Sequence, residues 1–152
     1  MTETAGTTDR TGAADGVGNS SGRAVGTAEV RRAVEAYWAA ADARDWDAFA
    51  ATLADDVVYD LPQSRERILG KGRFVAFNRD YPGDWHVRIE RIVADGEGLQ
   101  AAARTLVTEG SDQMHAIHFF TFYAQGRITA VTDFWPESYE PPTGREHLVE
   151  RY

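Results

Sequence analysis

Between residues 85 and 135 the chain is cut into four stretches by gaps too short to hold anything but a turn. Residues 85–95, 99–109, 114–123 and 127–135 are rich in β-branched and aromatic side chains, and the breaks carry Gly96, Gly98, Gly110 and Gly126. Parallel neighbours need a crossover of roughly a dozen residues or more, whereas turns of a few residues join antiparallel strands. The second half of the chain therefore reads as an antiparallel meander. Its third strand is apolar on both faces, with Ala116, Phe120 and Phe122 on one side and Ile117, Phe119 and Tyr123 on the other, and is expected at the centre of the sheet.

The first half has a different period. Val30, Val34, Tyr37, Trp38 and Ala41 recur at helical spacing, which predicts a helix over residues 27–44 with Thr27 as its cap. Asp45 or Asp47 can cap a second, short helix carrying Trp46, Phe49, Ala50 and Leu53. Ala54-Asp55-Asp56 is then read as a turn into a strand over residues 57–61, closed by Pro62. Residues 70–81 form a third expected helix through Phe74, Val75 and Phe77, stopped by Pro82-Gly83-Asp84. Helices first and strands later make an α+β domain. Three helices can cover one face of the sheet, so the aromatic outer face is expected to meet a second copy in a homodimer.

Residues 1–26 are mostly Thr, Gly, Ala, Ser and Asp, with Val17 and Val25 the larger apolar side chains beyond the initial Met. Such a segment cannot offset the entropy of ordering, and it reads as a disordered polar leader before a single domain over residues 27–152. The formal net charge of -8 argues against a nucleic-acid partner or an anionic membrane surface. Without cysteine there is no disulfide, no thiolate nucleophile and no cysteine-based zinc site. No apolar run approaches the roughly eighteen residues of a membrane span and no secretory signal opens the chain, so a cytoplasmic location is expected.

Candidate chemistry concentrates in the meander. By strand parity His118 and Asp133 point from neighbouring strands into the concave side beneath the helices, where they offer one acid and one base. Trp38, Trp46, Trp85 and Trp135, with Phe74, Phe77 and Phe120, can line a cavity for a flat aromatic or polycyclic ligand, although most aromatic side chains simply pack a core. His115 and His118 are three apart on a strand and face opposite sides, so no metal site is expected. Neither a GxSxG elbow, a phosphate-cradling loop nor a dinucleotide fingerprint occurs, and no cofactor is expected.

Over roughly residues 28–139 the order of elements, with Ala54-Asp55-Asp56 before the first strand, Gly126-Arg127-Ile128 opening the last and Asp133-Phe134-Trp135 ending it, resembles the SnoaL-like branch of the nuclear transport factor 2 superfamily. The resemblance implies a cystatin-like cone, a curved antiparallel sheet wrapped by about three N-terminal helices around a small-molecule pocket. It implies proton transfer to a carbonyl by the residues matching His118 and Asp133, as in polyketide cyclases. Asp60 is similar to the general base of the ketosteroid isomerases and Tyr37 to their phenolic oxyanion donor. Counted from the shared turn, Asp60 falls one residue early, a slip that reverses its face unless a local bulge restores it. Related epoxide hydrolases use two aspartates bridged by an arginine; Asp133 and Arg104 are present, and Leu106 stands where the second aspartate belongs. The implied ligand contacts are Trp38, Tyr59, Phe74, Phe77, Trp85, Arg104, Phe120 and Trp135. Two functions remain open at this point: a cofactor-independent cyclase or isomerase acting on a small hydrophobic carbonyl compound, and a noncatalytic ligand-binding or dimerisation domain.

Overall fold

The computed structural model describes residues 25–152, so all but the last two residues of the expected leader lie outside it. Helix α1 (Thr27–Asp42) buries Val30, Val34, Tyr37, Trp38 and Ala41, the stripe that the helical spacing predicts. Its cap differs from expectation. Gly26 precedes the helix and donates its N–H to the Glu29 carboxylate at 3.0 Å, while Thr27 lies inside the helix and its Oγ1 accepts from the Gly96 N–H at 3.0 Å. Thr27 thus ties the helix start to a turn of the sheet. After Asp42 the chain reverses through Arg44 in the left-handed region (φ 59), and Asp45 caps α2 (Trp46–Thr52) by accepting the Ala48 N–H at 2.9 Å.

Strand β1 (Leu53–Leu61) begins earlier than the sequence suggests. Ala54-Asp55-Asp56 is an irregular part of the strand: its pairing passes from Leu53 opposite Ile128 to Val58 opposite Ala130, with more residues on β1 than on its partner. The two aspartates are held outside, Asp55 by Lys71 at 2.6 Å and Asp56 by the Tyr123 hydroxyl at 2.6 Å. A further strand, β2 (Glu66–Leu69), had no sequence counterpart; it is a mostly exposed edge strand paired with β1 alone, where polar side chains are tolerated and periodicity is weak. Helix α3 (Lys71–Arg79) follows Gly70, whose φ of 88 suits glycine.

The meander matches the reading closely: β3 (Trp85–Asp95), β4 (Gln100–Glu109), β5 (Asp112–Phe122) and β6 (Ile128–Phe134). The six strands form one curved sheet in the order β2-β1-β6-β5-β4-β3. β1 runs parallel to β6, so the sheet is mixed and not wholly antiparallel. β5 lies inside the sheet as expected, with Ala116, His118, Phe120 and Phe122 buried under the helices. On the opposite face Ile117, Phe119 and Tyr123 are exposed.

Candidate active site

Four neighbouring strands each send one polar side chain into the buried face. Asp133 on β6 lies directly opposite His118 on β5 in the pairing register, and the His118 Nδ1 is 2.7 Å from Asp133 Oδ1. Thr105 on β4 places its Oγ1 2.8 Å from His118 Nε2. Tyr59 on β1 donates its hydroxyl to Asp133 Oδ2 at 2.8 Å. Thr105, His118 and Asp133 are the three buried polar side chains among the described residues, each at most 2% exposed.

The network closes when Thr105 donates to Nε2, Nδ1–H donates to Oδ1 and Tyr59 donates to Oδ2, which uses every hydrogen once. Burial, and then the charge of Asp133, hold the Tyr59 phenol well above its usual range, so it stays a donor. Each carboxylate oxygen accepts one bond from this network and keeps lone-pair capacity for a further donor.

Asp133 opens onto a cavity of about 300 Å³. Its wall carries the rings of Trp38, Tyr59, Phe77, Tyr81, Trp85 and Trp135 together with Leu61, Val107 and Met114, and polar side chains Ser64, Glu66, Asn78 and Glu109. Glu66, Tyr81 and Glu109 are exposed and mark the mouth, whereas Asp133 is 2% exposed and lies deep. Arg44 seats its guanidinium 3.7 Å from the Trp85 ring centroid and donates to the Trp85 carbonyl at 2.5 Å, fixing one wall. Gln63 brackets both backbone polar groups of Trp135 and fixes another.

Several sequence expectations are corrected. His118 does not reach the cavity wall: the Trp38 ring covers it at 4.5 Å between centroids, and both ring nitrogens are engaged. In this arrangement neither ring nitrogen is free to face the cavity. Asp60 lies on the other side of β1, paired with Arg67 at 2.6 Å, because Tyr59 takes the inward direction and the irregularity upstream does not reverse it. The Arg67 hydrogen bond draws the Asp60 carboxyl below its usual range.

Tyr37 is buried among Trp38, Phe49 and Phe120 at 4.7–5.4 Å between centroids and does not line the cavity. Burial, followed by the Asp133 charge, raises its pKa well above the ordinary phenol. Phe74 and Phe120 are core: Phe74 stacks on Tyr59 at 4.3 Å and Phe120 lies against Tyr37. Arg104 alternates with the inward Thr105 and pairs outside with Glu90 at 2.8 Å. Of the expected contacts, Trp38, Tyr59, Phe77, Trp85 and Trp135 line the cavity.

Thr105 was missed, although a lone polar residue in the inward Ala101, Ala103, Val107 series signals a buried partner. Ser64 and Glu66 were missed with the strand and turn that carry them. Trp38 holds the one buried side-chain polar atom without a partner among the described residues, its Nε1. Leaving such a donor unpaired costs about 1–3 kcal/mol. Among the described residues no cluster of His, Asp or Glu is placed to hold a metal ion.

Residues 34–131 match the model of the SnoaL-like domain. A protein of Kribbella flavida described as a candidate ketosteroid isomerase is 44% identical, with 83% of this chain and 91% of that one covered and a TM-score of 0.79. An epoxide hydrolase of M. tuberculosis, described as LEH-like, is 32% identical over 72% of this chain and 84% of its own, with a TM-score of 0.62. A candidate polyketide cyclase of Xanthomonas campestris is 26% identical over 72% and 92%, with a TM-score of 0.62. No curated protein sequence matches.

Proposed function

The chain belongs to the SnoaL-like domain family, and from that premise we propose that it is a cofactor-independent enzyme that uses Asp133 for proton transfer on a small hydrophobic carbonyl compound. The observation that carries this reading is the placement of Asp133: a buried carboxylate, gripped by two donors, opening into a largely apolar cavity. A carboxylate so held is preorganised to take a proton from a carbon beside a carbonyl. The C–H electron pair then passes into an enolate. Return of the proton at another carbon completes an isomerisation; attack of the enolate carbon on a second carbonyl, with the proton held by Asp133 passing to the alkoxide so formed, completes an aldol cyclisation.

Thr105 and His118 act as positioning residues, since they orient Asp133 without touching the cavity. Epoxide hydrolysis in the manner of two bridged aspartates finds less support, because Asp133 is the one deep carboxylate on the wall and Arg104 faces away.

Deuterium exchange at the carbons flanking the carbonyl of tetralone and related ketones, followed by NMR, tests the assignment without knowledge of the natural product. Asp133→Asn is expected to slow exchange by ~10²–10⁴ with the fold intact. Exchange in the wild type no faster than in buffer, or unchanged in the variant, would favour the noncatalytic binding domain, in which the same network only stabilises the fold.

A further inference from the structure

We propose that residues 136–152 form an arm that docks on a second copy of this chain, at a cationic corner of its outer sheet face. The arm has local structure of its own. Gly144 donates its N–H to the Glu146 carboxylate at 2.9 Å, Glu146–Leu148 make a short helical turn, and Arg151 reaches back to Glu140 at 3.4 Å. Among the described residues, every hydrogen bond and ion pair of this segment closes within it. Tyr139, Leu148, Val149 and Tyr152 are each more than half exposed. Large apolar side chains held by local bonds yet left in water point to a surface outside their own domain.

The corner lies where β3, β4 and β5 meet on the outer face. Their pairing sets Arg88, Leu106 and His115 in one row and Arg91, Arg104 and Ile117 in the next. Arg91 and Arg104 are therefore directly opposite each other, a like-charge pair that a sheet disfavours by itself. Arg88, Arg104 and His115 all turn to one carboxylate, Glu90, and Arg91 has no acidic partner among the described residues. Three arginines around one glutamate make a local excess of positive charge on a chain whose net charge is -8.

The arm carries the complement, with four glutamates against two arginines. Glu140 and Glu146 are engaged inside it, whereas Glu137 and Glu150 have no partner among the described residues. Its tyrosines are suited to lie over guanidinium planes. The arm does not use the corner of its own sheet: no bond joins them, and the Arg88 and Arg104 side chains are 68% and 57% exposed. It leaves β6 at Trp135, whose backbone is held by Gln63 just beyond β1, the neighbour of β6 on the side away from β3. Two-fold symmetry lets each copy give one arm and receive one.

Sedimentation velocity of the full chain over a dilution series at low salt tests the exchange with two charge-reversed variants, each checked for folding by circular dichroism. One reverses the arm (Glu137→Lys, Glu150→Lys) and the other the corner (Arg91→Glu, Arg104→Glu). Each variant alone meets like charge at both docking points and is expected to raise the dimer dissociation constant at least about tenfold. An equimolar mixture of the two restores opposite charge at both points, so association should return to near the wild-type strength. Added salt should shrink these differences, because the groups are exposed. A monomeric wild type, or variants that dimerise as tightly as the wild type, overturns the proposal. Variants that are weakened but not rescued by mixing overturn it as well, since an arm docked within its own chain, or a corner that serves another anion, gives no complementation.

Discussion

At the scale of single residues, the buried network makes its members unequal in ways that can be measured. Thr105→Val keeps the side-chain shape and removes the hydroxyl from His118 Nε2. Stranding that nitrogen should cost about 1–3 kcal/mol in urea denaturation and move the imidazole nitrogen resonances, with Thr105→Ser restoring both. An unchanged imidazole spectrum would mean that Thr105 is a bystander. The two buried phenols give a pH signature. Tyr37 and Tyr59 are raised in the fold by burial and by the Asp133 charge, so the stability linked to them is complete below the ordinary phenol value of about 10 and declines as pH climbs through the folded values. In an alkaline titration followed by tyrosinate absorbance, these two should ionise only as near-ultraviolet circular dichroism is lost. Ionisation of all six tyrosines while that signal holds would contradict the burial described above. At this scale the sequence identified His118 and Asp133 as partners through parity alone, since both positions share one face of adjacent strands. Asp60 became a candidate through the family resemblance, whereas its spacing from the shared turn already pointed to the opposite face, where the structure places it.

At the scale of elements, the joints between helix and sheet matter more than either alone. Gly96 passes against the backbone of Gly26 and Thr27, and a Cβ there would collide with Thr27 N and the carbonyl carbon of Gly26. Gly96→Ala should therefore push the start of α1 off the β3–β4 turn and lower stability by about 1–3 kcal/mol, measured by thermal denaturation. A melting temperature within error of the wild type would show that the joint yields freely. By comparison Asp45→Ala removes only one cap, and about 1 kcal/mol is expected. The long elements were legible because their periods of roughly 3.6 and 2 residues persist over many residues. Strand β2 was not, since a four-residue edge strand buries little and leaves no such pattern.

For the molecule as a whole, the outer sheet face remains to be accounted for. Ile117, Phe119 and Tyr123 are 40–51% exposed there, and Phe119 meets Phe134 edge-on at 6.1 Å. Because apolar surface of this kind usually marks an interface, we propose that a second copy covers it. Sedimentation should find a dimer at micromolar concentration that Phe119→Glu converts to a monomer of unchanged circular dichroism; a monomeric wild type would dismiss the idea. By itself the sequence determined the α+β class, the meander, the helical stripe and the inward face that His118 and Asp133 share, because each follows from a short-range period or a short turn. Only the tertiary structure decided that β1 joins β6 in parallel, that Trp38 covers His118 while Asp133 lies on the cavity wall, that Arg104 looks outward and that no bulge turns Asp60 inward. Those outcomes depend on how elements distant in the chain share space around one core, and local periodicity carries no record of that.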